Sequence, residues 1–235
     1  MTLAFWILAI CVVACLGYAG LICVAWRRYG QAPHPTTVPA DPLLDEFMPD
    51  YDVVERHHVK IDAPPEIVFA AAGEMNLQRS PIIRAIFAVR SFVLRAGPDA
   101  TPRPAGLLEQ MRSLGWGDLA STPGHEVVVG AVTRPWDPNP TFRALPPASF
   151  AGFREAGFVK IAWTLRADAR HDGGCDFWTE MRAIATDDAA RKRFRWYWAR
   201  FSPGVWLIRY LSLAPLKREA ERRARISDWS CARPH

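Results

Sequence analysis

Residues 173–209 have the sequence GGCDFWTEMRAIATDDAARKRFRWYWARFSPGVWLIR, in which a strand-like segment gives way to a helix-like one. From Asp176 to Thr186 two sets of residues alternate and both contain apolar side chains, which is typical of a strand that is partly buried on both faces. Thr186, Asp187 and Asp188 then supply an N-cap oxygen and acidic groups for the start of a helix. Beyond them, aromatic residues recur at three- and four-residue steps. A helix with such bulky side chains has to lie against an apolar surface, which the preceding strands can provide.

The chain upstream of this stretch supplies further strands and helices. Period-two patterns and turn residues predict strands over Tyr51–Asp62, Gly117–Ser121, Glu126–Thr133 and Gly157–Arg166, and helices over Pro65–Ala72, Pro81–Arg90 and Leu107–Leu114. Within the last helix, Ser202, Pro203 and Gly204 predict a kink or a break, because proline lacks an amide donor and clashes with the preceding turn. The order is therefore one strand, short helices, a run of strands and a long C-terminal helix.

An apolar segment opens the chain. The 24 residues from Leu3 to Trp26 carry no charge, and at about 1.5 Å per residue they reach roughly 36 Å, enough to cross a hydrocarbon core of about 30 Å. A cleaved signal peptide and a buried helix are the alternatives, but Met1 and Thr2 provide no basic side chain of the kind that a signal peptide carries. Lipidation at Cys15 stays a minor alternative. We predict a retained transmembrane anchor over residues 1–28.

The residues after this segment predict its orientation. Arg27 and Arg28 follow Trp26 directly, so the positive-inside rule places the C-terminal part in the cytoplasm, at a bacterial inner membrane. Gly30–Pro49 contains five prolines and no periodicity, which predicts an extended linker over residues 29–50. The folded domain is expected over residues 51–226, followed by a tail over 227–235.

Composition narrows the class of protein. A chain of 235 residues of which 50% are hydrophobic can form one good-sized core. The five cysteines form no CxxC pair and no histidine spacing typical of zinc accompanies them, so we expect neither a disulfide framework nor a metal site, and a reducing compartment fits best. No nucleophile elbow or phosphate-binding glycine loop is found, and we expect no cofactor.

The opening YDVVERHHVKIDAPPEIVFAA, residues 51–71, and the stretch DFWTEMRAIATDDAARKRFRWYW, residues 176–198, resemble the START-like or SRPBCC superfamily, which includes polyketide cyclase-like and lipid-transfer proteins. The resemblance covers about Tyr51 to Arg223. It implies an α+β, helix-grip fold, in which a curved antiparallel sheet surrounds a long C-terminal helix and leaves an apolar cavity. The superfamily also contains hydrolases and oxygenase domains, so the resemblance alone does not decide the function.

Aromatic and charged residues of the last strands and helix are the candidates for a ligand site. We predict that the cavity is lined by Phe158, Trp163, Phe177, Trp178, Glu180, Arg182, Phe194 and Trp198. The alternative is that these aromatic rings fill a packed core. Glu180 and Arg182 project from one face of their strand: facing the cavity they would orient a polar group, and facing water they would form an ordinary surface ion pair, the interpretation that we favour.

Other polar residues give weaker signals. His57 and His58 are neighbours in a strand, so they point to opposite faces and cannot bind one metal together. The basic segment RKRFRWYWAR, residues 191–200, fits three interpretations: a nucleic-acid surface, contact with anionic lipid headgroups, or a solvated face whose aromatic residues are in the core. We favour the last and expect no nucleic-acid partner.

Three functions are consistent with these observations. The first is a membrane-anchored protein that binds a hydrophobic small molecule or lipid under the C-terminal helix. The second is an enzyme of the cyclase or dehydratase type, with Glu180, Arg182 or a histidine as its acid–base groups. The third is an assembly subunit that docks a membrane-protein partner. The sequence favours the binding protein over the enzyme and assigns no catalytic residue.

Overall fold

A computed structural model of the chain describes residues 3–31, 41–97 and 104–231, and of residues 3, 4 and 228–231 only the backbone. Its helices are α1 (Leu3–Arg28), α2 (Pro42–Phe47), α3 (Pro65–Glu74), α4 (Pro81–Val93), α5 (Leu107–Ser113), α6 (Pro147–Phe150) and α7 (Asp188–Cys231). Its strands are β1 (Val53–Ile61), β2 (Gly117–Thr122), β3 (Glu126–Thr133), β4 (Phe142–Arg143), β5 (Val159–Ala169) and β6 (Cys175–Ala185).

The six strands found in the described residues form one antiparallel sheet. Its order is β1-β6-β5-β3-β2, and β4 pairs with the far end of β3. The first strand of the chain is thus paired with the last one, with Val53 opposite Ala183 and Ile61 opposite Cys175. This long-range pairing, the curvature of the sheet and the helix that it surrounds make the fold an α+β helix-grip fold, which confirms the predicted class.

Helix α7 lies across the inner, concave face of the sheet. Its first turn is capped by Asp187, whose Oδ1 accepts hydrogen bonds from the amides of Ala189 and Ala190 at 2.8 and 2.9 Å. Phe194 and Trp198 then enter the main core, while the preceding Lys192 and Arg193 are exposed. The basic segment therefore has a solvated face and aromatic residues in the core.

Of the kink or break predicted at Pro203, the break is wrong. Helix α7 continues through Pro203 and also through Pro215 over 44 residues. Proline removes one intrahelical donor, but the helix is supported beyond both positions because Leu216, Ala220 and Ala224 pack into the core. The packing of these residues offsets the free-energy cost of placing proline within the helix.

The outer face of the sheet is also covered. Helix α2 begins after Asp41, whose Oδ1 accepts a hydrogen bond from the Leu44 amide at 2.9 Å. Leu44 and Met48 pack with Phe150 of α6 and Val128 of β3 in a second, smaller core. Residues 41–49 are therefore packed against the sheet, not extended as predicted, whereas residues 32–40 of that segment lie outside the described part of the chain.

Candidate functional site

A cavity of about 2760 Å³ lies between the inner face of the sheet and helix α7. Pockets for drug-sized ligands measure about 300 to 1,000 Å³, so this space is large enough for a lipid-sized molecule. Its wall on the sheet side includes alternate residues of two neighbouring strands, Ile161, Trp163 and Leu165 of β5 and Phe177, Thr179, Met181 and Ala183 of β6. Successive side chains of a strand point to opposite faces, which explains this alternation.

Helices α1 and α4 form the mouth of the cavity. Residues of both helices line it and are at the same time exposed, namely Tyr18, Leu21 and Val24 of α1 and Ile82, Phe87, Val89 and Val93 of α4. Trp206 of α7 lies at the same opening. Large apolar side chains around an opening are uncommon on a surface that meets water. The mouth therefore has an apolar rim.

The end of α1 is attached to the sheet through Tyr29 and Asp52. The Tyr29 hydroxyl donates to Asp52 Oδ2 at 3.2 Å, and the Gly30 amide donates to the Asp52 carbonyl at 2.8 Å. Burial, followed by the neighbouring Asp52 carboxylate, raises the pKa of Tyr29, so its hydroxyl stays protonated. On α7, the Arg195 guanidinium lies 4.1 Å from the centroid of the Trp26 ring and donates to the Trp26 carbonyl at 2.9 Å. These contacts fix α1 at the rim of the cavity.

A polar cluster interrupts the apolar wall where α7 crosses β5 and β6. Arg209 Nη1 donates to Thr179 Oγ1 at 3.1 Å, and its guanidinium lies 5.0 Å from the centroid of the Trp163 ring. Trp163 Nε1 donates to the same hydroxyl at 2.6 Å. Burial lowers the pKa of Arg209 to about 10, so it remains a cation at neutral pH. The cavity thus contains a fixed positive charge.

Glu55 and His57 of β1 lie on the same side of the sheet. Glu55 lines the cavity, and burial raises the pKa of its carboxyl group. His57 Nε2 is 3.8 Å from Glu55 Oε2 and has no hydrogen-bond partner among the described residues. Burial, and next the nearby Arg209, lowers the pKa of His57 to about 4, so its ring is neutral at pH 7. His58 lies on the opposite face and stacks on Trp178.

Four of the eight predicted cavity residues line this space. They are Trp163, Phe177, Phe194 and Trp198, which come from β5, β6 and α7. All four are also part of the main core, with exposed fractions of 9% or less. Their position fits the predicted role, and ligand binding by them stays a prediction.

The other four predicted residues lie outside the cavity. Trp178, Glu180 and Arg182 have the opposite parity on β6 from Phe177 and Thr179, and therefore project from the outer face of the sheet. Phe158 precedes β5 and packs against Phe153, with the Arg134 guanidinium 4.5 Å from its ring centroid. Both faces of β6 are apolar enough to be buried, so its sequence did not indicate which face meets α7.

Glu180 and Arg182 are also not the surface ion pair that the sequence favoured. Their side chains are buried beneath α2, and Glu180 accepts hydrogen bonds from Arg182 Nε at 2.7 Å and Arg56 Nε at 2.5 Å. Arg182 in turn donates to Asp45 Oδ1 at 2.5 Å and to the Met48 carbonyl at 2.7 Å. Burial alone would raise the pKa of Glu180, but Arg56 and Arg182 hold it below its usual value. This network joins α2 to the sheet and does not reach the cavity.

The sequence analysis did not predict the apolar rim of the cavity or the cation Arg209 within it. The exposed apolar residues of α4 and the contribution of α1 depend on which helices end up beside the opening, which no local pattern encodes. Arg209 could have been recognised in the sequence, because it is the single charged residue within the apolar stretch Val205–Leu216. A lone arginine in such a stretch needs a partner or a ligand if it faces inward.

A comparison with protein-family models found no match, and neither did a comparison with curated proteins. Among solved structures, protein CV1439 from Chromobacterium violaceum is 14% identical, with 66% of this chain and 96% of that chain covered and a TM-score of 0.25. CalU16 from Micromonospora echinospora is 14% identical, with 74% and 85% covered and a TM-score of 0.25. The ZhuI aromatase/cyclase from Streptomyces sp. R1128 is 13% identical, with 73% and 94% covered and a TM-score of 0.24. With TM-scores this low, the fold assignment rests on the strand order and helix packing of the chain itself.

Proposed function

We propose that this protein is a membrane-anchored binding protein that holds a hydrophobic ligand, a lipid or another apolar small molecule, in the cavity under α7. One observation carries the proposal: α1 is apolar enough to cross a membrane over Phe5–Arg28, and its C-terminal half also frames the mouth of the cavity. A helix in the bilayer would bring the apolar rim to the membrane surface. The ligand would then enter from the bilayer without crossing water.

The charges around α1 support this arrangement. Arg27 and Arg28 end the helix, and the exposed Lys192, Arg193 and Arg200 lie on the neighbouring part of α7. Basic side chains at the end of a membrane span favour anionic lipid headgroups and the cytoplasmic side. We therefore retain the proposal of a single-pass inner-membrane protein with its folded domain in the cytoplasm.

The enzymatic alternative loses two of its proposed acid–base groups. Glu180 and Arg182 are buried outside the cavity and are occupied with each other and with α2. The third group was a histidine, and His57 lies 3.8 Å from Glu55 on the inner side of the sheet. In an assembly subunit the cavity would have no ligand to hold and could be filled by side chains, which a space of about 2760 Å³ does not favour. No observation favours either of these functions over ligand binding.

Organic extraction of the full chain, purified from membranes in detergent, tests the proposal. We expect mass spectrometry to detect a defined apolar molecule in the extract, and to detect much less of it with Ser212→Trp, because Ser212 lines the cavity. Ala214→Trp is the matched control, since Ala214 lies on the exposed side of the same helix. Equal amounts of bound molecule in the two variants would contradict binding in the cavity.

Two separate measurements test the anchor. The protein should stay in the pellet when membranes are washed at alkaline pH, and release into the supernatant would contradict a transmembrane α1. A reporter that is active only in the cytoplasm, fused after His235, should give a signal. Activity from a periplasmic reporter alone would reverse the orientation.

A further inference from the structure

Unlike Arg191 and Arg223 of the same helix, Arg209 has no acidic partner within ion-pair distance among the described residues. Arg191 Nε lies 3.2 Å from Asp52, and Arg223 Nη1 lies 2.9 Å from Glu74. In the described part of the chain, no carboxylate oxygen comes within 4.0 Å of the Arg209 guanidinium nitrogens. Protein atoms surround this group, and the part of its surface that stays free faces the cavity. An unpaired cation among apolar side chains is costly unless it meets an anion.

The hydroxyl of Thr179 adds a second donor at the same place. A threonine hydroxyl has one proton to donate and two lone pairs that accept. Both lone pairs are engaged, by Trp163 Nε1 at 2.6 Å and by Arg209 Nη1 at 3.1 Å. The hydroxyl proton has no acceptor among the residues that the structure describes. It is therefore available to a bound acceptor beside the guanidinium.

Glu55 is the acidic residue that most directly affects Arg209, and it does not neutralise it by contact. Its carboxylate lies beyond ion-pair distance of the guanidinium and is nearer to His57, at 3.8 Å from Nε2. The charged and titratable groups around Arg209 are thus Glu55 and His57 of β1, and His57 is neutral at pH 7. The guanidinium keeps N–H groups that a planar anion can engage in two parallel hydrogen bonds.

We propose, on the basis of the cavity function above, that Arg209 and Thr179 form a subsite for the anionic group of an amphiphile. The ligand then carries a carboxylate or a phosphate that meets the guanidinium, while its hydrocarbon part lies along the apolar wall formed by residues such as Phe177 and Met181. The polar cluster thereby selects acidic lipids over neutral ones of the same chain length.

Native mass spectrometry of the full chain in detergent, mixed with equal amounts of stearic acid, methyl stearate and stearyl phosphate, tests this subsite. The acid and the ester differ only in charge and a methyl group. We expect the wild-type chain to retain the acid or the phosphate about tenfold more than the ester, because hydrogen bonds to a charged group are stronger than those to a neutral one. Arg209→Met should abolish this preference by lowering retention of the acid and the phosphate to that of the ester. Arg209→Lys should keep part of it.

The control variant is Arg218→Met, which removes a charge from an exposed position of the same helix and should keep the wild-type preference. Equal retention of acid and ester by the wild-type chain would overturn the anionic subsite while leaving cavity binding intact. Because it uses only the wild-type chain, the comparison of acid and ester tests the anionic subsite even if Arg209→Met fails to fold. Displacement of the bound amphiphile by acetate or inorganic phosphate alone would overturn the amphiphile class, since the site would then hold a small free anion. Retention of none of the probes would contradict the cavity function itself and the subsite with it.

Discussion

Glu180 has two arginine partners inside a protein interior, which makes its charge a structural requirement. Its side chain is 4% exposed and contacts Arg182, which is equally buried, and the partly exposed Arg56. Removing one member of a buried ion network leaves the remaining charges without compensation. The pair therefore stabilises the attachment of α2 to the sheet.

We predict that Glu180→Gln lowers the free energy of unfolding by about 3 to 5 kcal/mol, because Arg56 loses its carboxylate partner and Arg182 keeps only Asp45. Ligand retention at a permissive temperature should be unchanged, since Glu180 lies outside the cavity. Urea denaturation of the full chain in detergent measures the loss. Glu46→Gln, at an exposed position of α2, is the control. A loss no larger than that of the control would mean that the network is not stabilising.

Glu126 predicts a pH dependence of stability. Burial, followed by the neighbouring Asp41, raises the pKa of Glu126 to about 7 from a usual value of 4.5. The folded state then holds a proton that the unfolded state has released, so stability is full below pH 4.5 and is lost as the pH rises through about 7. Asp41 also caps α2, so the ionisation of the neighbouring Glu126 should affect the helix that covers the outer face of the sheet.

Glu126→Gln should remove this component, because an amide cannot ionise but still accepts a hydrogen bond from Thr164. We expect the wild-type urea midpoint to fall between about pH 5 and pH 8, and the midpoint of the variant to fall less. Parallel pH profiles for the two proteins would contradict a raised pKa at Glu126.

At the level of elements, α2 shows how local composition can mislead. The prolines around it indicated a linker, yet Asp41 followed by Pro42 is a typical helix start, with an N-cap carboxylate and proline in the first turn. What the sequence could not show is the apolar outer face of the sheet, because that surface is assembled from strands far away in the chain. Leu44 is completely buried against it.

Leu44→Ala should therefore cost about 2 to 5 kcal/mol of stability, the range for truncating a fully buried leucine. Leu43→Ala is the matched control, and we expect a clearly smaller loss because Leu43 is only half-buried. Urea denaturation of both variants measures the two losses of stability. Equal losses would place α2 loosely on the surface and not in the second core.

The strands were predictable for a physical reason, and their orientation was not. Period two in β6 separates Phe177 and Thr179 from Trp178 and Glu180, whatever the rest of the fold. Which of the two sets meets α7 depends on the layers that cover each face. Since α2 and α6 bury the outer face of this sheet, both sets contain residues suited to burial, and half of the predicted cavity residues belong to the other side or to an edge.

The long C-terminal helix was also only partly predictable. Its start at Asp188 follows from the acidic residues before an amphipathic pattern. Its continuation beyond Pro203 does not follow, because the local cost of proline is offset by contacts of Leu216 and Ala220 with distant residues. That continuity places Arg209 over the sheet, where a break would have released it.

At the scale of the whole molecule, α1 and the cavity belong to one arrangement. Tyr29 and Trp26 attach the end of α1 to β1 and α7, so the helix that is apolar enough to cross a membrane lies beside the opening of the cavity. Domain order alone predicted a membrane helix followed by a separate folded unit. The contacts that join them involve residues such as Asp52 and Arg195, whose partners lie far away in sequence.

The central claim, that a hydrophobic ligand occupies the cavity, is tested most directly by photolabelling. The full chain in membranes would be labelled with a fatty acid that carries a photoreactive diazirine in its chain, and the labelled peptides identified by mass spectrometry. We predict labels on the inner wall, on peptides that contain Trp163, Phe177 or Trp198, and their loss in Ser212→Trp but not in Ala214→Trp. Labels confined to α1 and the exposed residues of α4 would contradict the claim, because those surfaces meet lipid without any ligand entering the cavity.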